Sequence, residues 1–517
     1  KYHPNDCNGL NNLATNLIHQ ERFGEAEQFL LKAKDQWPFD ATTVYNLGVL
    51  TFNTEPANNQ KQLNYFLKAI ELKPDYTEAH INAANALVRS GEFERAIPHL
   101  DKALLYRPED PQILLNKGIA LRETKLLTKA LDCFKAALPL SSEKYRIDYE
   151  IAQTQYLLGD LKSATALYVS AISHKAAFEP GYFGLGTVLA ESGQLAKAKE
   201  AFNRANKHPA AAHRIKAIDI ITRDADPWVL FREEYEVLSS KDKKTEFNWT
   251  PQNKTREVFI QTDGMSDGEI ILLSRLIKQL NKKSQKITLV IRKSLLALVQ
   301  CVDGVQNAIC SSTLKNKNLK NVDVTHLYAL PSFLGLKDGN LPKIMGYIKP
   351  NRERKRLWDP KIFKGNELKI GLSWIDSGLR TGPHQELKFN EYEPFLELNG
   401  ASFIGLTQTK NELQKGHLRD MDAADLSVSI RDKEDLLAAI DELDLIITGD
   451  TLTAHLAGAL NKPAIILLPL LPHWLWEYKT QTSSYYPSAV LLRQSKANSW
   501  RRPVMAAVDL LKNNYGL

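Results

Sequence analysis

The chain has 517 residues, 43% apolar and 25% charged, and 67 basic against 60 acidic side chains leave a formal charge of +7. That length exceeds what one core holds, so two or three domains are expected. So mild a charge argues against a nucleic-acid partner, and the densest basic run, Arg352–Arg356 with Glu353 inside it, reads as a solvated linker. Cys7, Cys133, Cys301 and Cys310 are scattered, with no CxxC, which points to a reducing compartment. The best apolar stretch, Ala464 to Trp476, is broken by Pro469, Pro472 and His473 and falls short of a membrane span. No signal peptide is read, and a cytoplasmic location is expected.

Residues 1–210 carry a repeat whose period can be counted. Ala96, Ala130, Ala164 and Ala198 lie 34 apart, as do Ala103, Ala137, Ala171 and Ala205, and Leu100, Phe134, Tyr168 and Phe202. Ala84, Gly118, Ala152 and Gly186 supply a small residue at each helix crossing, and turn glycines recur at Gly91, Gly159 and Gly193. Two earlier units fit the frame, the second with an insertion at Glu55 to Asn59, giving six copies. This pattern resembles the tetratricopeptide repeat, an all-α superhelix whose first helices line a peptide-binding face.

Asn12, Asn46, Asn82 and Asn116 hold one position in units one to four, while Glu150 and Gly184 stand there in units five and six. An amide both donates and accepts, so such a row can pair with the backbone of an extended polypeptide. Similar asparagine ladders occur in the O-linked N-acetylglucosamine transferases, which this architecture resembles. The alternative is a row of consensus surface residues.

Residues 211–254 read as a connector: one or two packing helices around Ile218, Trp228 and Phe231, then a polar linker. Asp224-Ala225-Asp226 sits beside Pro227 in that connector rather than after a strand, so it is not read as a metal site. Two Rossmann-like α/β lobes follow, 255–360 and 361–517, in which strands alternate with helices. Strands are expected at Arg256–Gln261, Ile287–Ile291, Leu368–Trp374, Ser402–Leu406, Asp444–Thr448, Ala464–Leu468 and Ala489–Leu492. One helix is expected over Glu269–Leu280 and another over Leu452–Leu460.

The stretch Asp444 to Pro469 is one βαβ unit. Its turn, Gly449-Asp450-Thr451, lies at the carboxyl end of a strand and the amino end of a helix, where free N–H groups and the helix dipole favour a phosphate. Thr451 adds a hydroxyl, and His455 is expected to point at the same mouth. The alternative is that Asp450 and Thr451 only cap the helix and His455 is a satisfied interior histidine.

The run Asp450-Thr451-x-x-x-His455-Leu456-Ala457-Gly458-Ala459-Leu460-x-Lys462-Pro463 resembles the donor signature of heptosyltransferase-like glycosyltransferases, and Gly264-Met265-Ser266-Asp267 resembles their first-lobe turn. With the repeats, the whole arrangement resembles bacterial repeat-containing flagellin glycosyltransferases. The resemblance implies a GT-B fold and an inverting, metal-independent protein O-glycosyltransferase. It implies a nucleotide-sugar donor as substrate, with CMP-nonulosonic acid one candidate, no resident cofactor, and Ser or Thr of a polypeptide such as flagellin as acceptor. Asp267 would then be the general base. The donor would meet the N–H groups of Thr451 and Leu452, with Asp450, His455, Ser373, Ser377, Lys388 and Gln408 around it.

Three departures stand out: Ser266 replaces a glycine, Gly268-Glu269 replaces a threonine at the helix start, and Leu387-Lys388 replaces an Arg-Ser pair. They keep two alternatives open. One is a repeat scaffold that binds peptide and nucleotide without turnover. The other is a heptosyltransferase-like enzyme of cell-surface glycan synthesis.

Overall fold

The computed structural model describes residues 6–241 apart from 223, then 250, 257–280, 286–314, 323–356 apart from 338, 358, 367–374, 387–407, 424–426, 429–497 apart from 479, and 499–517. The chain divides into two compact units, 1–188 and 189–517.

The first unit is a superhelix of paired helices: α1 (Cys7–His19) with α2 (Phe23–Gln36), α3 (Ala41–Thr54) with α4 (Asn59–Leu72), α5 (Thr77–Arg89) with α6 (Phe93–Tyr106), α7 (Pro111–Glu123) with α8 (Leu127–Ala137), and α9 (Lys144–Leu158) with α10 (Leu161–His174). A sixth pair, α11 (Glu179–Glu191) and α12 (Leu195–Arg204), begins in this unit and ends in the next. The residues of the 34-residue register form the core: Ala96, Ala130, Ala164 and Leu100 and Phe134 are fully buried. The crossing glycines are there for rings. A Cβ on Gly48 would come within 2.7 Å of Phe66, and one on Gly118 within 2.4 Å of Phe134. The same packing explains Gly184, where a Cβ would fall 2.4 Å from Tyr168.

The second unit opens with α13 (Ala211–Thr222) and α14 (Trp228–Lys241), and the polar linker expected after them lies largely outside the described residues. Asp226 caps α14 by accepting from the Trp228 N–H at 3.0 Å and also accepts from Gly339 N–H, a structural use of that carboxylate.

Strands β1 (Glu257–Gln261), β2 (Lys286–Ile291), β3 (Asn307–Cys310) and β4 (Asp323–His326) form an all-parallel sheet in the order β3-β2-β1-β4. Strands β5 (Leu368–Ser373), β6 (Ala401–Gly405), β7 (Ala424–Asp425), β8 (Leu445–Thr448), β9 (Ala464–Leu468) and β10 (Ala489–Arg493) form a second, β10-β9-β8-β5-β6-β7. Counted from its own first strand, the second sheet runs 6-5-4-1-2-3, the doubly wound order, and the first runs 3-2-1-4.

Both faces of the second sheet are covered. On one, Ile370, Leu372, Ile447, Ile465 and Leu467 meet Val504, Ala507, Val508 and Leu511, residues one helical face apart on the terminal helix Arg501–Tyr515. On the other, Ile446, Ile466 and Leu468 meet helices Lys433–Asp441 and Leu452–Leu460, in a core continuous with that of the first sheet.

Two expectations change. The helix expected over Glu269–Leu280 starts at Asp267, runs as α15 (Asp267–Ser274) and is interrupted before a short turn of helix, Ile277–Leu280. Arg275 sits at the interruption, buried, its guanidinium donating to Leu272 O at 3.1 Å and Tyr485 O at 2.9 Å. The basic run Arg352–Arg356 is a short helix whose Arg354 pairs with Asp435 at 2.7 Å and Asp432 at 3.2 Å, and whose Lys355 pairs with Asp441 at 2.6 Å and Glu442 at 2.8 Å. It is solvated, with no buried residue, and is also fastened to α16 (Lys433–Asp441) through Arg354 and Lys355.

Candidate active site

In the second sheet β5 and β8 are neighbours from which the chain winds in opposite directions, and ligands of such sheets bind beyond the carboxyl ends at that point. A chain of hydroxyls lies there. Thr453 Oγ1 donates to Ser373 Oγ at 3.1 Å, Ser373 Oγ lies 3.2 Å from Thr407 Oγ1, and Trp374 N–H donates to Thr407 Oγ1 at 3.0 Å. Beside it, Thr451 Oγ1 and Thr448 Oγ1 share a hydrogen bond of 2.8 Å. Thr451 is the N-cap of α17 (Leu452–Leu460) by position, but its N–H is turned to Gly449 O at 2.9 Å. The outward donors of this helix therefore start at Leu452, one residue later than expected.

His455 is buried beneath the turn, with Nε2 toward Asp450 and Gly268. It is 4% exposed, with Nδ1 3.0 Å from the Tyr486 hydroxyl and its ring packed against Trp476 and Tyr486 at centroid distances of 5.1 and 5.7 Å. Its Nε2 stands 3.9 Å from Asp450 Oδ1. Burial pushes its pKa down to about 4, so the imidazole is neutral near pH 7. Its action on a ligand would run through Asp450 and the helix it anchors. Trp476 Nε1 is buried with no hydrogen-bond partner among the described residues.

The first-lobe turn leaves β1 through Thr262, whose hydroxyl donates to Val290 O at 3.0 Å. It bends at Gly264, whose φ of +81° is a left-handed conformation suited to glycine. His326, at the end of β4, has Nε2 3.0 Å from Asp263 O and accepts the Tyr328 N–H on Nδ1, which fixes its tautomer, and burial lowers its pKa to about 4. The two departures at this turn now have a cause. Ser266 is extended (φ −72°, ψ 160°) and forms a capping box with Glu269, whose Oε2 accepts from Ser266 N at 2.8 Å while Ser266 Oγ accepts from Glu269 N at 3.3 Å. Gly268 is pressed against His455: a Cβ there would lie 2.3 Å from Nε2. The first turn of α15 and helix α17 thus touch directly.

Asp267 is not an open carboxylate. Oδ1 pairs with Arg292 and Oδ2 with Lys433, so both oxygens already accept from cations. Arg292 comes from the end of β2 and Lys433 is the first residue of α16.

Lys388 is exposed at the start of a short 3-10 helix, Phe389–Tyr392, and Leu387 is a fully buried member of the core with Trp374 and Phe389. Ser377 and Gln408 lie outside the described residues. Sequence reasoning brought Ser373, Asp450, Thr451 and Asp267 to the carboxyl edges of the sheets and missed Thr407, Thr448, Thr453, Arg292 and Lys433. Position was their available signal: each ends or follows a strand, or lies in the first turn of a helix, at that edge.

In the repeats, the asparagine row braces neighbouring units. Asn46 Nδ2 donates to Asn11 Oδ1 at 2.9 Å, Asn82 Nδ2 to the Tyr45 hydroxyl at 2.9 Å, and Asn116 Nδ2 to Asn85 Oδ1 at 2.6 Å. In unit five Glu150 takes the same position and pairs with Arg122 of the preceding unit. Asn12 is exposed, Asn82 and Asn116 are half-buried and Asn46 is buried, so a polypeptide would meet a row whose amides are partly engaged.

The tetratricopeptide repeat family matches residues 81–145. Over most of its length the chain is similar to protein FlbA of Caulobacter vibrioides, 20% identical over 483 residues that cover 86% of this chain and 80% of FlbA. It is also similar to the human protein O-mannosyl-transferase TMTC3, 27% identical over 141 residues, but spans only 15% of that protein's length and 27% of its own. Among solved structures, the type IV pilus biogenesis factor PilW is 19% identical, with 41% of this chain and 97% of PilW covered and a TM-score of 0.36. The repeat protein YrrB is 20% identical, with 36% and 97% covered and a TM-score of 0.31. Among the described residues no helix is long and apolar enough to cross a membrane, and no three His, Cys, Asp or Glu side chains are grouped as a metal site would need.

Proposed function

We propose that this chain is a protein O-glycosyltransferase of the two-lobed GT-B kind, with the repeats recruiting a polypeptide and the α/β half transferring a sugar from a nucleotide-activated donor to its Ser or Thr. The observation that carries the reading is the carboxyl edge of the second sheet. A helix amino terminus and five hydroxyls, Thr448, Thr451, Thr453, Ser373 and Thr407, converge at the switch point of a doubly wound sheet. Such an array suits a phosphate and a ribose. The similarity of 27% of the chain to a protein O-mannosyl-transferase supports a link between such repeats and sugar transfer.

In this reading the donor phosphate lies at the head of α17 and Asp267 faces it from the first lobe as general base. Inversion follows from attack opposite the leaving phosphate, with no metal. Flagellin as acceptor and a CMP-linked nonulosonic acid as donor are the finest forms of the proposal.

The test is a thermal-shift screen of the full chain with CMP, UDP, GDP and ADP, followed by turnover of the corresponding nucleotide-sugars with a Ser/Thr polypeptide. A nucleotide bound with micromolar Kd and present at millimolar concentration stabilises by roughly 4 kcal/mol. The expected result is a shift with one base and turnover that survives EDTA. Absence of binding to every nucleotide sinks the reading. One observation favours a second reading, a scaffold without turnover: both oxygens of Asp267 are already occupied. It expects a nucleotide shift and peptide binding with no sugar released.

A further inference from the structure

We propose that the Asp267–Lys433 ion pair is a latch operated by the donor: the donor phosphate draws Lys433 away from Asp267, and only then does Asp267 take the acceptor's proton. This rests on the transferase reading and names its order of events.

Three features of the contact lead here. Lys433 covers Oδ2 and Arg292 covers Oδ1, so the departure of one of these cations opens an oxygen of Asp267 to a substrate hydroxyl. Arg292 is the anchored one, because its Nη2 also donates to Met265 O at 3.0 Å within the same turn. Lys433 is the less tethered one, although its side chain is 29% exposed against 41% for Arg292. Among the described residues Asp267 is its one side-chain partner, and an ammonium on a four-carbon stem swings where a guanidinium fork is held.

The backbone under Lys433, in contrast, is fixed. Asp432 caps α16 by accepting from Glu434 N and Asp435 N at 3.0 and 2.9 Å, and the buried Asp435 is held by Arg354 and Arg431. Side-chain exposures of 29% for Lys433 and 27% for Asp267 leave the pair within reach of a ligand.

The destination lies along the same edge of the sheet. A helix that leads into a parallel strand begins at the carboxyl edge of the sheet, so Lys433 at the head of α16 shares an edge with Thr448–Thr451. Gly268, next to Asp267, touches His455 one turn inside α17. A phosphate at the head of α17 therefore competes with Asp267 for the same ammonium.

The chemical step balances as follows. The acceptor oxygen forms its bond to the anomeric carbon and gives its proton to Asp267 Oδ2. The bond from that carbon to the phosphate oxygen breaks, and its electron pair leaves on the phosphate, where Lys433 meets the charge. With no donor bound, Lys433 stays on Asp267 and Oδ2 stays covered.

The test is titration of CMP, UDP and GDP into the full-length wild type, Asp267→Asn, Lys433→Met and the double variant at one ionic strength, with turnover of the matching nucleotide-sugar. Asp267→Asn releases Lys433, so the nucleotide that wild type binds should bind about 2- to 5-fold tighter, as expected from freeing a partly exposed ion pair, while turnover falls about 100-fold or more. Lys433→Met should weaken binding, and in its background Asp267→Asn should bring no gain. The latch is overturned if Asp267→Asn binds no tighter, or if its gain persists without Lys433. Should Asp267→Asn fail to fold, Lys433→Met decides alone: unchanged affinity and unchanged salt dependence overturn the proposal. Wild type that binds none of the three nucleotides overturns the transferase reading itself, and the latch with it.

Discussion

Two small residues at the start of α15 carry more than their size suggests. Ser266 closes a reciprocal capping box, so Ser266→Ala should cost about 1 kcal/mol in urea unfolding. Gly268 leaves room for the ring of His455, which is itself wedged against Trp476 and Tyr486. Gly268→Ala should cost about 1–3 kcal/mol, because neither ring has space to retreat, and should weaken nucleotide binding by displacing α17.

Burial depresses the pKa of both His326 and His455 to about 4, from 6.5 in the unfolded chain. Between those values the unfolded chain binds more protons, so stability is full above about pH 6.5 and is lost as pH falls towards about 4. Each histidine contributes up to about 3 kcal/mol to that loss. Urea midpoints should hold near pH 7 and fall from about pH 6.5 to pH 4.5, and His326→Asn should flatten the curve.

The repeat helices were legible because their packing is local and periodic. The alanines and rings that recur every 34 residues are the ones buried between paired helices, so counting along the chain identifies the core. Gly118 is a sharp case: Gly118→Ala would drive a methyl into the buried ring of Phe134 and should cost about 1–3 kcal/mol by chemical denaturation. The asparagine row shows where counting stops. Spacing put the four amides in line, but that Asn82 donates to Tyr45, and Asn46 to Asn11, depends on the offset between neighbouring first helices. Asn82→Ala should therefore lower stability by about 1 kcal/mol even with no polypeptide present.

The two compact units, 1–188 and 189–517, have separate cores, and their ligands should be felt separately. In amide hydrogen exchange on the full chain, nucleotide should slow amides within 189–517, above all near Leu452–Leu460, while an acceptor polypeptide should slow amides within 1–188. Protection of both units by nucleotide alone would contradict this division of labour.

What the amino-acid sequence determined by itself was whatever has a period or a local signal. The helical repeats, the alternation of strand and helix in the second half, the helix Leu452–Leu460 and the strand Ala464–Leu468 all follow from spacing, turn residues and apolar runs within one short window. The tertiary structure alone decided how far-apart groups meet. Arg292 and Lys433 close on Asp267 from 25 and 166 residues away, Gly268 receives a ring 187 positions on, and His455 turns inward to Tyr486. Charge pairing and close packing depend on distances in the folded state, and parallel sheets bring strand ends together across whole helices. A motif can therefore name Asp267 as a base, while the surrounding fold determines whether its oxygens are free to act.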